Sequence, residues 1–528
     1  MTTRTVSPRD LKNMLHDGGE LALLDVREDG QFGEGHMLFA TPLPYSRLEL
    51  GIAALAPRKS ARIVLCDDGD GVAERGVKRL AAIGYSDVSV LAGGNPAWQA
   101  AGYAIFKGVN VPSKLFGELV EHVYDTPRVT VTELAQMKQR NEDFVIVDGR
   151  PYAEFNKMNI PGGICCPNAE LPYRIHDIVK NPKTKIIVNC AGRTRSIMGA
   201  QTLLNFGIEN PVYALENGTQ GWVLADFELE RGATRKYPDK IDAAALPGLQ
   251  ATAKKLLARF KVQSVTAKQV DNWRRDVNRS LYLLDVRTPE EFQAGSLPGA
   301  VHAPGGQLVQ ATDQWVGVRN ARIVLADGEG VRAPVVAAWL KQLGCDVYVL
   351  EGGVNSGLKV PVPATASLPA VPAVPKISAE ALKQALADGS CSAFYLGPSM
   401  NYRKQHVPGS RWSIRSRIAQ DATNAKSVVL IPRDTDVAQA AAIDLAEAGI
   451  TNVKLLEGGL ATWINAGFTL EASPQTPPDS DCIDYLFFVH DRHLGNREAM
   501  KQYLAWETGL IKQLDEQDKA SFKVGEPT

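Results

Sequence analysis

Cysteine is scarce and unpatterned in this chain: seven are scattered, at positions 66, 165, 166, 190, 345, 391 and 482. An odd number without Cys-x-x-Cys spacing argues against a disulfide framework or a structural zinc site, and free thiols fit a reducing compartment, so a cytoplasmic location is expected. An excess of one charge is also missing, with 58 basic residues against 59 acidic. That balance, without a basic tract, gives no reason to expect nucleic acid or an anionic membrane as a partner. No apolar run approaches the roughly 18 residues of a membrane span. The opening MTTRTVSPRDLKNMLHDGG has no apolar stretch behind a basic head, so no signal peptide is expected either.

What the chain does have is repetition. Its 528 residues exceed one hydrophobic core, since domains run about 100 to 200 residues. The stretch ARIVLCDDGDGVAERGVKRLAAIGYSDVSVLAGGNPAW (61–98) returns at 185–222 as KIIVNCAGRTRSIMGAQTLLNFGIENPVYALENGTQGW. It returns again at 321–353 and at 427–463, making four copies. Each reads as strand, loop, helix, a Gly stop, a second strand and a Gly-rich turn, with a further strand upstream (22–28, 144–155, 282–292 and 393–406). Strands alternating with helices predict an α/β fold of four tandem domains, each a parallel sheet flanked by helices.

The copies place domain one at about 1–110, two at about 124–236, three at about 262–361 and four at about 375–473. Residues 240–262 read as a helical connector and Val360–Lys376 as an extended Pro/Ala/Val linker, dividing the chain into two pairs. Tail residues 474–528 carry apolar Tyr503, Leu504, Trp506, Leu510, Ile511 and Leu514 at helical spacing, which predicts a packed helical tail. His490 and His493 lie three apart without further nearby ligands, so a capping or packing role is expected rather than a metal site.

Within the second copy, Lys185–Asn189 reads as a buried strand and Ile197–Phe206 as an amphipathic helix, leaving Cys190–Arg195 as a turn. Ligands of parallel sheets bind beyond the carboxyl ends of the strands, where Cys190 falls. A turn with inward N–H groups at a helix start puts positive potential on the sulfur, and Arg193 and Arg195 add full charges.

Asp-x-Arg followed by Glu-Phe, a Pro-Gly turn (161–162, 298–299, 408–409), a cysteine loop and a Gly-Gly-x-x-x-Trp turn together resemble the rhodanese, or sulfurtransferase, family. In that family the loop cysteine carries a persulfide. The second copy matches with Cys190, Ala191, Gly192, Arg193, Thr194 and Arg195. The others depart: the first reads Cys66-Asp67-Asp68-Gly69-Asp70-Gly71, the third has Ala326 at the cysteine position, and the fourth has Ile431 and Pro432. The three carboxylates should repel an anionic donor and raise the pKa of Cys66.

The resemblance implies one working domain that moves a sulfane sulfur from an anionic donor such as thiosulfate to cyanide or a thiol, with Cys190 as nucleophile and the loop and its arginines as anion binders. No organic cofactor or metal is implied. The expected partners are a small-molecule donor and acceptor, with a sulfur-accepting protein and a homodimer left open. Arg174 reads as a donor-binding or a solvated helix residue. Cys165 and Cys166 read as a strand end beside the site, and Trp222 as a packing residue. Asp148 and Arg150, which recur as Asp25/Arg27 and Asp285/Arg287, read as a structural ion pair. Two rivals are weighed. Cysteine-dependent phosphatase or arsenate reductase chemistry wants Cys, five residues, then Arg, whereas Ser196 stands at that place. A non-enzymatic scaffold suits three degenerate loops but not the intact one.

Overall fold

A computed structural model describes residues 3–361, 368, 374–490 and 495–525. Four five-stranded sheets carry the chain, one from each copy, and all four share one strand order. In the second copy the strands are β1 (Arg128–Val129), β2 (Phe144–Asp148), β3 (Ile164–Cys165), β4 (Lys185–Asn189) and β5 (Val212–Leu215). They pair in parallel in the order β1-β5-β4-β2-β3. The inner strands β2 and β4 are β-branched runs, with Ile186, Ile187 and Val188 wholly buried, as expected of strands covered on both faces. Register sets Asp148 opposite Asn189, so both end at the sheet edge from which Cys190 continues.

The upstream strands are shorter than the sequence suggests. In the second copy the strand stops at Asp148, whose carboxylate accepts the Arg150 N–H at 3.1 Å and turns the chain into a helix at Tyr152–Lys157. Beyond it, α1 (Val111–Tyr124) precedes the second sheet, α2 (Thr194–Phe206) follows Cys190, α3 (Gly218–Leu224) follows β5, and α4 (Arg497–Gly509) lies in the tail. Helix α2 starts three residues before the expected Ile197 and stops at Gly207, whose φ of +80° suits a residue without Cβ. Trp222 packs among Leu134, Ile146, Ile187 and Leu215 and donates its indole N–H to the Glu228 carbonyl at 2.9 Å. Trp98 and Trp463 make the same bond in the first and fourth copies.

The copies do not pair along the chain. The first and fourth form one compact unit, and the second and third form the other, together with the C-terminal segment from Phe488. Each unit has buried arginines at its centre. Arg415, fully buried, donates to Glu49 at 2.6 and 2.8 Å and to Asp444 at 2.9 Å, binding the fourth copy to the first. Arg332 of the third copy donates to Glu170 of the second at 2.9 Å, and to Glu291 and Glu329. The helical connector is seen at Leu246–Arg259. Most of the expected extended linker (362–367 and 369–373) and His493 lie outside the described residues. Among the described residues no helix is long and apolar enough to cross a membrane.

Candidate active site

Cys190 leaves the middle strand of the second sheet, and the chain turns through Ala191–Arg193 into α2. The turn's carbonyls are taken up by the start of α3: Thr219 N–H donates to Cys190 O at 2.9 Å and Gln220 N–H to Ala191 O at 3.1 Å. That approach needs glycine at 218, where φ is +50° and a Cβ would lie 2.2 Å from the Cys190 carbonyl oxygen. With the carbonyls used, the backbone N–H groups of Gly192, Arg193, Thr194 and Arg195 have no protein acceptor among the described residues. Four open donors that follow Cys190 at the start of a 13-residue helix make a nest of the kind that suits an anion. Cys190 is 2 % exposed and accepts the Ser196 hydroxyl at 3.0 Å.

The first and third copies close the same nest with a side chain of their own. One residue after the cysteine position, Asp67 accepts the N–H groups of Gly69 (2.9 Å) and Ala73 (3.0 Å). Asp327 accepts those of Gly330 (2.9 Å), Val331 (3.0 Å) and Ala333 (2.8 Å). The second copy has Ala191 at that place. In the fourth, Asp434 caps the following helix instead. Cys66 is fully buried with its pKa raised well above the usual thiol value, chiefly by burial, then by Asp25, with Asp67 and Asp68 adding less. Burial thus outranks the repulsion expected from the acidic loop, and Asp68 itself pairs with Arg27 at 2.9 Å.

The two loop arginines face carboxylates. Arg193 donates to Glu118 at 2.7 and 2.9 Å and also to Glu121, both on α1. Arg195 donates to Glu154 at 2.8 and 2.9 Å. Burial alone would loosen the Arg195 proton, but Glu154 and, behind it, Cys190 and Asp148 hold it above the ordinary value. Arg174 is neither solvated nor in contact with the loop. It is 3 % exposed and donates to Glu170 at 3.1 Å and to the Pro238 and Asp239 carbonyls.

Asp148 and Arg150 form the expected buried pair (2.7 Å), as do Asp25/Arg27 and Asp285/Arg287. Burial drives the Cys165 pKa up to about 12 and that of Cys166 well above the usual value.

Residues outside the repeat complete the surroundings. Thr194 donates its hydroxyl to Glu507 of α4 at 2.6 Å. Around Gly192, a Cβ would meet Glu507 Oε2 at 3.3 Å, Gln220 Nε2 at 3.4 Å and Tyr503 at 3.7 Å. Lys114 of α1 donates to the Tyr503 hydroxyl and lies 5.0 Å from the Tyr503 ring centroid and 5.6 Å from that of Trp506. Gly192 and Thr194 are loop residues named from sequence, Tyr503 and Trp506 belong to the expected apolar face of the tail, and Glu154 and Gln220 lie inside the Glu-Phe and Gly-rich-turn motifs without being singled out. Glu118, Glu121 and Glu507 carry no local signal in the sequence.

The rhodanese-like domain model matches residues 7–101, 130–225 and 266–359. A crystal structure of thiosulfate sulfurtransferase from Pseudomonas aeruginosa superposes with a TM-score of 0.90 at 40% identity, covering 98% of this chain and 99% of that one. A thiosulfate sulfurtransferase from the same organism is 25% identical over 230 residues, 36% of this chain and 83% of that protein. The probable adenylyltransferase/sulfurtransferase MoeZ of Mycobacterium tuberculosis is 34% identical over 98 residues, which are 18% of this chain and 24% of MoeZ. The matched segments take in more than half of the sequence and three of its four sheets, and the chain belongs to the rhodanese-like domain family.

Proposed function

We propose that the second domain, about residues 124–236, is a sulfurtransferase in which Cys190 carries the transferred sulfur. The open N–H nest beside Cys190, which Asp67 and Asp327 fill in the first and third copies, is the observation that carries this reading. An anionic donor such as thiosulfate fits a nest that lacks an internal anion. The Cys190 thiolate attacks the outer sulfur, the sulfur–sulfur bond of thiosulfate breaks, and sulfite leaves with the bonding pair. The resulting persulfide gives its outer sulfur to cyanide or a thiolate, and Cys190 returns as a thiolate. Neither step removes a proton from a weak acid, so no general base is needed. Arg193 and Arg195 then act as charges beside the nest, each shared with a carboxylate, and Ala191, Gly192 and Thr194 contribute backbone. The resemblance to the two P. aeruginosa thiosulfate sulfurtransferases supports the donor class.

Mass spectrometry after incubation with thiosulfate tests this. One added sulfur that survives Cys66→Ser and vanishes in Cys190→Ser is expected. A wild-type protein that gains no sulfur but hydrolyses a phosphate ester would establish phosphatase chemistry instead, and inertness in both assays would favour a scaffold.

A further inference from the structure

The tail helix brings to the Cys190 loop two polar side chains that the fold leaves unused. Glu507 is 1 % exposed; its Oε1 accepts from Thr194, while Oε2 has no hydrogen-bond partner among the described residues. Gln220, on α3, is 4 % exposed, and neither its amide oxygen nor its amide nitrogen has a partner. Both side chains converge on the face of Gly192, two residues after the nucleophile, where glycine leaves them uncovered. Buried polar atoms are nearly always satisfied, so unmatched ones that meet at a reactive loop point to a group that arrives from outside.

Charge narrows what that group is. Near the loop, Glu118, Glu121 and Glu154 are taken by Arg193, Arg195 and Arg128, and Lys114 donates to the Tyr503 hydroxyl. Arg193 and Arg195 are already paired, so the free carboxylate oxygen belongs to Glu507. Glu507 Oε2 accepts, and the Gln220 amide, neither of whose polar atoms is held by a partner, can turn its carbonyl oxygen inward as a second acceptor; together they suit an ammonium, which brings three N–H groups and no acceptor. The same oxygen opposes a small dianion.

We infer that the C-terminal helix is part of the sulfur-transfer site, and that Glu507 with Gln220 selects acceptors carrying an ammonium beside the thiol, the small aminothiols. This rests on Cys190 acting as the persulfide carrier. In the step concerned, the aminothiol thiolate attacks the outer sulfur of Cys190–S–SH, the bond from that sulfur to Sγ breaks, and Cys190 leaves as thiolate. The aminothiol departs as its persulfide. Atoms and electrons balance without another reactant.

Two half-reactions measured on full-length protein test the inference. Cys190 is loaded with thiosulfate and then unloaded to cysteamine or to uncharged 2-mercaptoethanol, following the added sulfur by mass spectrometry. Glu507→Gln keeps the shape and the Thr194 bond. It is expected to slow unloading to cysteamine about tenfold more than unloading to 2-mercaptoethanol, the scale of one charged hydrogen bond, while speeding loading by thiosulfate. Because each thiol is compared with itself, its own nucleophilicity cancels. Gln220→Leu, of similar bulk, should lower the cysteamine-to-mercaptoethanol ratio in the same direction. Changes of the same sign in both half-reactions, or an unchanged ratio in both variants, would overturn the selection while leaving sulfur transfer intact. Failure of the wild type to load at all would instead refute the carrier reading beneath it.

Discussion

Thr194 and Glu507 are joined by a 2.6 Å hydrogen bond although 313 residues separate them. Thr194 is the first residue of the helix that follows Cys190, and Glu507 sits two residues before the end of the tail helix. Replacing Thr194 by valine removes the donor and leaves both oxygens of a buried carboxylate unmatched. A loss of about 1–3 kcal/mol is expected, read as a lower denaturant midpoint with an unchanged m-value. An unchanged midpoint would show that the tail does not hold the loop.

Ala191 is where the open loop of the second copy differs from the closed loops of the first and third. Ala191→Asp should place a carboxylate on the open N–H groups, as Asp67 and Asp327 do in their own loops. Sulfur loading of Cys190 is expected to fall at least about a hundredfold, because an oxyanion-type site loses roughly that much per donor removed. The melting temperature should hold or rise, since the new side chain satisfies groups that were unpaired. Retained loading would mean that the nest does not bind the donor.

The repeat could be read from sequence because each copy must spend the same residues on buried strands, a Gly stop and a Gly-rich turn; the four identical strand orders follow from that local constraint. Cys190 and its loop were visible for the same reason. The pairing of Arg193 and Arg195 with carboxylates was not, since Glu118, Glu121 and Glu154 lie 75, 72 and 41 residues away in sequence and meet them only through tertiary packing. Local polarity likewise made Arg174 look solvated, whereas Glu170 and two backbone carbonyls bury it. Pairing of the first copy with the fourth left no trace in linker composition, because it depends on single buried residues such as Arg415.

Acid should destabilise the third copy at Glu291, which pairs with the same Arg332 that reaches Glu170 of the second. Burial alone would raise the Glu291 pKa, but Arg332 and the Thr288 cap overcome it and hold the group at about 2, below its usual 4.5. A depressed folded value means that the unfolded chain binds more protons between these limits. The stabilisation is therefore complete above about pH 4.5 and lost as pH falls toward about 2. Glu291→Gln should flatten the fall in thermal midpoint across that window; a variant that tracks the wild type throughout would assign the acid sensitivity elsewhere.

Arg415 offers the sharpest test of how the first and fourth copies are held. Its guanidinium is fully buried and is shared between Glu49, also buried, and Asp444, which further accepts from Tyr45 at 2.9 Å and from Arg79. Removing the cation by Arg415→Met keeps most of the volume but leaves the buried Glu49 carboxylate with Arg79 alone, 3.9 Å away. Breaking one side of such a cluster costs about 3–5 kcal/mol, whereas removing the whole cluster can be neutral. The double variant Arg415→Met with Glu49→Leu should therefore recover much of the stability that the single variant loses, measured as denaturant midpoints. If both variants lose the same amount, the cost lies in packing around residue 415 and not in the stranded charge.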